Sequence, residues 1–174
     1  MVFRPQLNVT FADVRVDTDW AGCLRTRKST NGGALQLGGH TIKTWASTQA
    51  VIALSSGEAE FYGVVKGASV LLGLISLAAD LGVQLKGRIH TDSTAARGTC
   101  IRRGLGKARH IHTQYLWVQE RLQAGDFKLF KVPGKENPGD LMTTHLDAPT
   151  IAKWTSRLGV EFPQSTSKLH LSAQ

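Results

Sequence analysis

A chain of 174 residues is about one domain's worth of sequence, long enough to bury a core without disulfide or metal staples. With 41% hydrophobic and 20% charged residues it is neither disordered nor fibrous. Its two cysteines, Cys23 and Cys100, exclude a disulfide scaffold and have no metal-ligand spacing, while 21 Lys and Arg against 13 Asp and Glu leave a net charge of +8 that points to an anionic partner.

The opening residues, Met1 to Gln6, lack the apolar core of a signal peptide. From Phe11 to Asp19 Val14 and Val16 alternate with Asp13, Arg15 and Asp17, which predicts a strand. A basic loop, Arg25 to Asn31, follows. Gly32–Gly39 and Thr41–Ala46 read as two short strands of a hairpin joined at Gly38-Gly39-His40. Ser55-Ser56-Gly57-Glu58 is a helix start, with a capping serine and an early acid at the positive end of the dipole. Phe61, Val64, Val65, Ala68, Leu72, Ile75 and Ala79 then recur at three- and four-residue steps, predicting a long amphipathic helix that stops near Gly82. Its most apolar run, Gly67 to Ala79, is shorter than the ~18 residues that span a bilayer, so the expectation is an intracellular protein without membrane contact.

Lys86 to Thr91 is a strand ending at Asp92-Ser93, and a short helix runs from Thr94 to about Arg103, where Gly104-Leu105-Gly106 breaks it. A further helix is expected from Ile111 to Leu122 and a last alternating strand from Asp126 to Val132. Lys135 to Asp140 reads as a turn feeding a final helix, with Pro138 in its first turn. The order predicts one α/β domain with a mixed sheet over residues 11–158, preceded by an extension (1–10) and followed by a loose tail (159–174).

Four acids lie at the ends of these elements: Asp17 and Asp92 end strands, Glu60 is in the first turns of the long helix, and Asp140 is at the start of the last helix. Ligand sites of open α/β sheets lie beyond the carboxyl ends of strands, where Asp17 and Asp92 meet if their strands are parallel neighbours. Two unit charges ~4 Å apart repel by roughly 4 kcal/mol at an effective dielectric near 20. Such a cluster is tolerable only if it takes up protons or binds hard cations such as magnesium. A basic chain with an acidic pocket suits metal-dependent chemistry on phosphates. At 100° per residue Glu58 and Glu60 both border the apolar stripe, and geometry does not choose between them as the helix acid.

Six ordered blocks extend this reading: Asp17-Thr-Asp-Trp-Ala-Gly22, Arg27-Lys28-Ser29-Thr-Asn-Gly32, Ala53-Leu-Ser-Ser-Gly-Glu-Ala-Glu60-Phe, Thr91-Asp92-Ser93, Arg109-His-Ile-His112 and Glu136-Asn137-Pro-Gly-Asp140-Leu. Over residues 11 to 146 they resemble the ribonuclease H domain that closes the Pol polyprotein of copia-type LTR retrotransposons. The resemblance implies a ribonuclease H-like fold, α/β, with a five-stranded mixed sheet and helices on both faces. It implies catalysis and metal binding by Asp17, Glu60, Asp92 and Asp140, favouring Glu60 over Glu58. Two Mg2+ ions are expected, with Mn2+ able to substitute.

The implied activity is endonucleolytic hydrolysis of the RNA strand of RNA–DNA hybrids during reverse transcription. The implied partners are the hybrid and a reverse transcriptase domain upstream in the parent polyprotein, in the cytoplasm, a virus-like particle or the nucleus. The alternative is a silent or polymerase-dependent nucleic-acid-binding module of the same fold. Arg27, Lys28, Ser29, Arg109, His112 and Asn137 are the candidate substrate contacts within those blocks. The loop 133–140 lacks the histidine that cellular members carry, and His145, just past the final acid, is a candidate to approach the site. Trp20, Trp45, Trp117 and Trp154 are expected in the core or at its rim rather than as base-stacking platforms.

Overall fold

In a computed structural model that describes residues 5–6, 9–106 and 109–160, the alternation of the first strand decides its place. Strand β1 (Phe11–Asp19) buries Ala12, Val14 and Val16 completely. It pairs antiparallel with β2 (Thr30–Leu37), which pairs antiparallel with β3 (His40–Thr48) across the expected Gly38-Gly39 turn. On its other side β1 runs parallel to β4 (Lys86–Thr91), and β4 runs parallel to β5 (Phe127–Lys131), giving one sheet in the order β3-β2-β1-β4-β5. The pairing of Arg15 with His90 sets the register; two residues on, Asp17 stands level with Asp92.

Helix α1 (Ser56–Asp80) is capped as expected, with the Ser55 side chain accepting from Glu58 N. It buries Phe61, Val64, Val65, Ala68 and Leu71 against the central strands. Gly67 permits the approach, since a Cβ there would lie 2.6 Å from Val16 Cγ1. Taken whole, this 25-residue helix is long and apolar enough to cross a membrane by length and composition, although its central run alone looked too short; in the fold it is the core helix. Helices α2 (Thr94–Ile101) and α3 (Trp117–Ala124) add Ala96, Cys100 and Val118 to the same core.

Helix α4 (Ala148–Arg157) lies on the opposite face, where the Leu158 carbonyl accepts from Thr41 Oγ1 at 2.7 Å and the Arg157 carbonyl accepts from Gln36 Nε2 at 3.4 Å. Helices therefore cover both faces. Trp154 and Leu158 are buried there, and residues 161–174 of the expected tail lie outside the described residues. Within the expected extension, Gln6 is anchored: its side chain accepts from Gly39 N at 2.7 Å and donates to the Leu37 carbonyl at 3.1 Å.

Two predicted helix starts move. The helix expected from Ile111 begins at Trp117, after a 3-10 turn at Thr113–Tyr115; just before that turn, His110 is bonded to Glu58 on α1 and Ile111 is buried in the core. Pro138 opens not the final helix but a 3-10 turn, Pro138–Met142, capped by the Asn137 side chain; α4 has its own cap, Asp147, which accepts from Thr150 N at 3.1 Å.

Candidate active site

The acids gather at the carboxyl ends of β1 and β4. Asp17 lies two residues before the end of the central strand β1, Asp92 follows β4 directly, and Glu60 is in the first turns of α1. One carboxylate oxygen from each of the three lies within 4.8 Å of the others. Asp140, on the 3-10 turn, stands outside this triad but within its field: burial, then the charges of Asp17 and Asp92, push its pKa up to about 6. Burial raises Asp17 as well, with Asp92 adding to the rise while the Thr143 hydroxyl, which donates to its carboxylate, opposes it. Glu60 is pushed up to about 8, first by burial and then by Asp17 and Asp92, against a lowering by Thr18.

Glu60 Oε2 is buried with no hydrogen-bond partner, and none of these four acids has an ion pair with a basic side chain among the described residues. An orphaned buried carboxylate oxygen costs free energy that a proton or a cation would recover. The all-oxygen donor set suits a hard divalent ion rather than a soft one. The residues fit a magnesium-type site.

Glu58 and Glu60 differ in what they touch. Glu58 is occupied elsewhere: it accepts from Leu54 N at 3.0 Å and from Tyr62 Oη at 2.7 Å, and His110 Nε2 lies 2.7 Å away. Although burial pushes its pKa up, those bonds hold it below the usual carboxylate range. Asp19 turns back onto its own loop, filling the space a Cβ at Gly22 would need.

Two predicted substrate contacts are corrected. Ser29 is fully buried, and its Oγ accepts from Ala21 N at 3.0 Å, bracing the loop after β1. Asn137 is fully buried too: Nδ2 donates to the Val16 carbonyl at 2.8 Å and Oδ1 accepts from Gly139 N at 3.1 Å. Neither side chain has a surface to offer. Asn137 instead ties the segment carrying Asp140 to the strand carrying Asp17. Gly139 is required there, because a Cβ would fall 2.8 Å from that of Asp17.

Arg27, Arg109 and His112 are exposed and Lys28 half-buried. His145 is exposed and makes no bond to the acids. Trp45 and Trp154 are buried and Trp117 is partly so, as expected, whereas Trp20 is 50% exposed and donates Nε1 to the Ala53 carbonyl at 3.1 Å. The Thr143 bond and the Glu58–His110 lock were missed; only the serine- and glutamate-rich helix start gave any signal for the second.

The fold recurs in solved structures. The chain superposes on the N-terminal RNase H domain of a Mycobacterium tuberculosis protein with a TM-score of 0.50 and 16% identity, covering 84% of this chain and 97% of that one. A metagenomic RNase H1 isolated from compost matches with a TM-score of 0.53 and 11% identity over 77% and 93% of the two chains. RNase H1 of Halobacterium salinarum gives 0.51 and 14%, over 76% and 93%. The fold is that of a ribonuclease H domain.

In sequence, the chain is 29% identical over 162 residues, 91% of its length, to retrovirus-related Pol polyproteins from transposons RE2 and RE1 of Arabidopsis thaliana. It is 29% identical over 130 residues, 73% of its length, to the corresponding polyprotein from transposon TNT 1-94 of Nicotiana tabacum. These relatives are copia-type retrotransposon Pol polyproteins, of whose length the chain spans only 10–11%. No family model matches the chain. In this chain the fold brings Asp17 from β1, Asp92 from the end of β4 and Glu60 from the start of α1 together.

Proposed function

We propose that the chain is a metal-dependent endonuclease that hydrolyses the RNA strand of RNA–DNA hybrids in the reverse transcription of a retrotransposon, inside the cell, next to a reverse transcriptase domain of the same polyprotein. The observation that carries this reading is the convergence of the Asp17, Glu60 and Asp92 carboxylates with Glu60 Oε2 buried and unpartnered. Asp17, Glu60 and Asp92 would hold Mg2+ or Mn2+, with Asp140 at the margin. When bound, a pair of such ions activates water and stabilises the leaving oxygen of a phosphodiester.

The chain's own residues do the rest. Asp140 stands at the edge of the triad, close enough for the charges of Asp17 and Asp92 to act on its carboxylate. Thr143 orients the Asp17 carboxylate through its hydroxyl, and Asn137 keeps Asp140 next to it. Arg27, Lys28, Arg109 and His112 hold phosphates, so binding falls with added salt and carries little base specificity. The 2′-hydroxyl and the A-like minor groove distinguish RNA from DNA.

A labelled hybrid tests the reading. Wild type should cut only its RNA strand with magnesium or manganese and stop on chelation. Asp92→Asn should lose about two orders of magnitude of activity or more while still binding hybrid. A wild type that binds but never cuts, alone or joined to the polymerase, would make this a tethering module.

A further inference from the structure

On the sheet face away from α1, Asp13 and Arg15 of β1 start a polar layer on the same pleat face as Asp17. Asp13 accepts from Arg88 at 2.8 and 2.6 Å and faces His90 Nε2 at 2.8 Å, so both its oxygens are taken. Arg15, next on that face, is half-buried and donates Nη1 to Gln36 Oε1 at 2.6 Å, its one hydrogen-bond partner among the described residues. A guanidinium carries five N–H donors, and burying them unpaired is costly.

Beside Arg15 opens a recess lined by Gln36, His90, Val132, Glu136, Pro138 and Arg157. Arg157 reaches it from α4, its guanidinium carbon 5.2 Å from the centre of the Trp154 ring. Neither Arg15 nor Arg157 is in an ion pair among the described residues, and the exposed Glu136 at the rim bonds neither. Arg15 and Arg157 thus line one recess, while Arg88 nearby is held by Asp13.

We propose that this recess binds a phosphate group between the guanidinium groups of Arg15 and Arg157. Two forked cations present more donors, from two directions, than the two oxygens of a carboxylate can accept, whereas a tetrahedral oxyanion spans both. The Gln36 amide is already committed to Thr41 and to the Arg157 carbonyl, and it holds Arg15 in place. The source is either a free phosphate or the backbone of a nucleic acid strand. The site is independent of the nuclease reading.

Calorimetric titration of the whole chain, with chelator present so that no metal contributes, tests this. Inorganic phosphate, acetate and a single-stranded DNA are the probes, at constant ionic strength. Phosphate should bind and acetate should not. Arg157→Gln, on an exposed position that does not threaten folding, should weaken phosphate by about tenfold or more. Glu136→Gln should tighten it by removing the repelling carboxylate. Strand affinity that also falls in Arg157→Gln assigns a backbone phosphate as the source; strand affinity that holds assigns a small anion. Phosphate that fails to bind, acetate that binds equally, or phosphate affinity unchanged in both Arg157→Gln and Arg15→Gln overturns the proposal.

Discussion

Asn137 shows how far one side chain can reach. Its amide donates to the Val16 carbonyl and caps the turn that presents Asp140, so strand, turn and acid share one buried group. Removing it leaves a strand carbonyl and a turn N–H unsatisfied. Asn137→Ala should therefore cost about 1–3 kcal/mol, a drop of roughly 2–4 °C in Tm per kcal/mol for a chain of this size. Thermal melts check the stability, and hydrolysis should fall further than stability alone accounts for. In the sequence the residue was visible only as part of a block around an acid, and its burial was not. A polar residue beside a site acid reads as a substrate contact until the backbone it serves is seen; Ser29 misled for the same reason.

At the scale of the element, α1 carries two glutamates two positions apart with opposite work. Glu58 closes the helix start and holds His110; Glu60 faces two other carboxylates. Without metal, Glu60→Gln should raise Tm by a few degrees, because a neutral amide avoids the burial of charge next to charge. Glu58→Gln should lower it, because three donors lose a charged acceptor. Differential scanning of the two variants at pH 8 with chelator decides the point; a shift of the same sign in both would mean that the helix acids are not divided in this way.

Much of the element pattern was legible because its causes are local. The alternation of β1, the Gly38-Gly39 turn and the Ser55 cap each depend on neighbours in the chain. The start of α3 was not legible, since His110 reaches 52 residues back to Glu58. Nor was the 3-10 turn at Pro138, which owes its shape to bonds with β1. The choice of Glu60 came from motif likeness, as helical geometry alone left it open.

Across the whole molecule the raised acids set a pH dependence. Glu60 has a folded pKa of about 8 against an ordinary 4.5, and Asp140 about 6 against 3.8. The folded state therefore holds more protons than the unfolded chain in that window. The Glu60 contribution is fully present below about pH 4.5 and lost as pH rises through 8, and that of Asp140 is fully present below about pH 3.8 and lost as pH rises through 6. Metal-free protein should melt progressively lower from pH 5 to pH 8.5, and Glu60→Gln should flatten most of the slope. Magnesium should reverse the trend, since binding requires the deprotonated acids and releases protons. Melting curves at four pH values, with magnesium and with chelator, make the comparison.

The Asn137–Val16 and Thr143–Asp17 bonds join residues 121 and 126 positions apart. A ribosome reading from the amino end therefore delivers the first, second and third acids long before the segment that braces them. Until residues 137–143 emerge and dock, the half-built cage has neither its fourth carboxylate nor the hydroxyl that aims its first. A nascent or prematurely ended polypeptide would thus hold most of the sheet while its acids still lacked their brace.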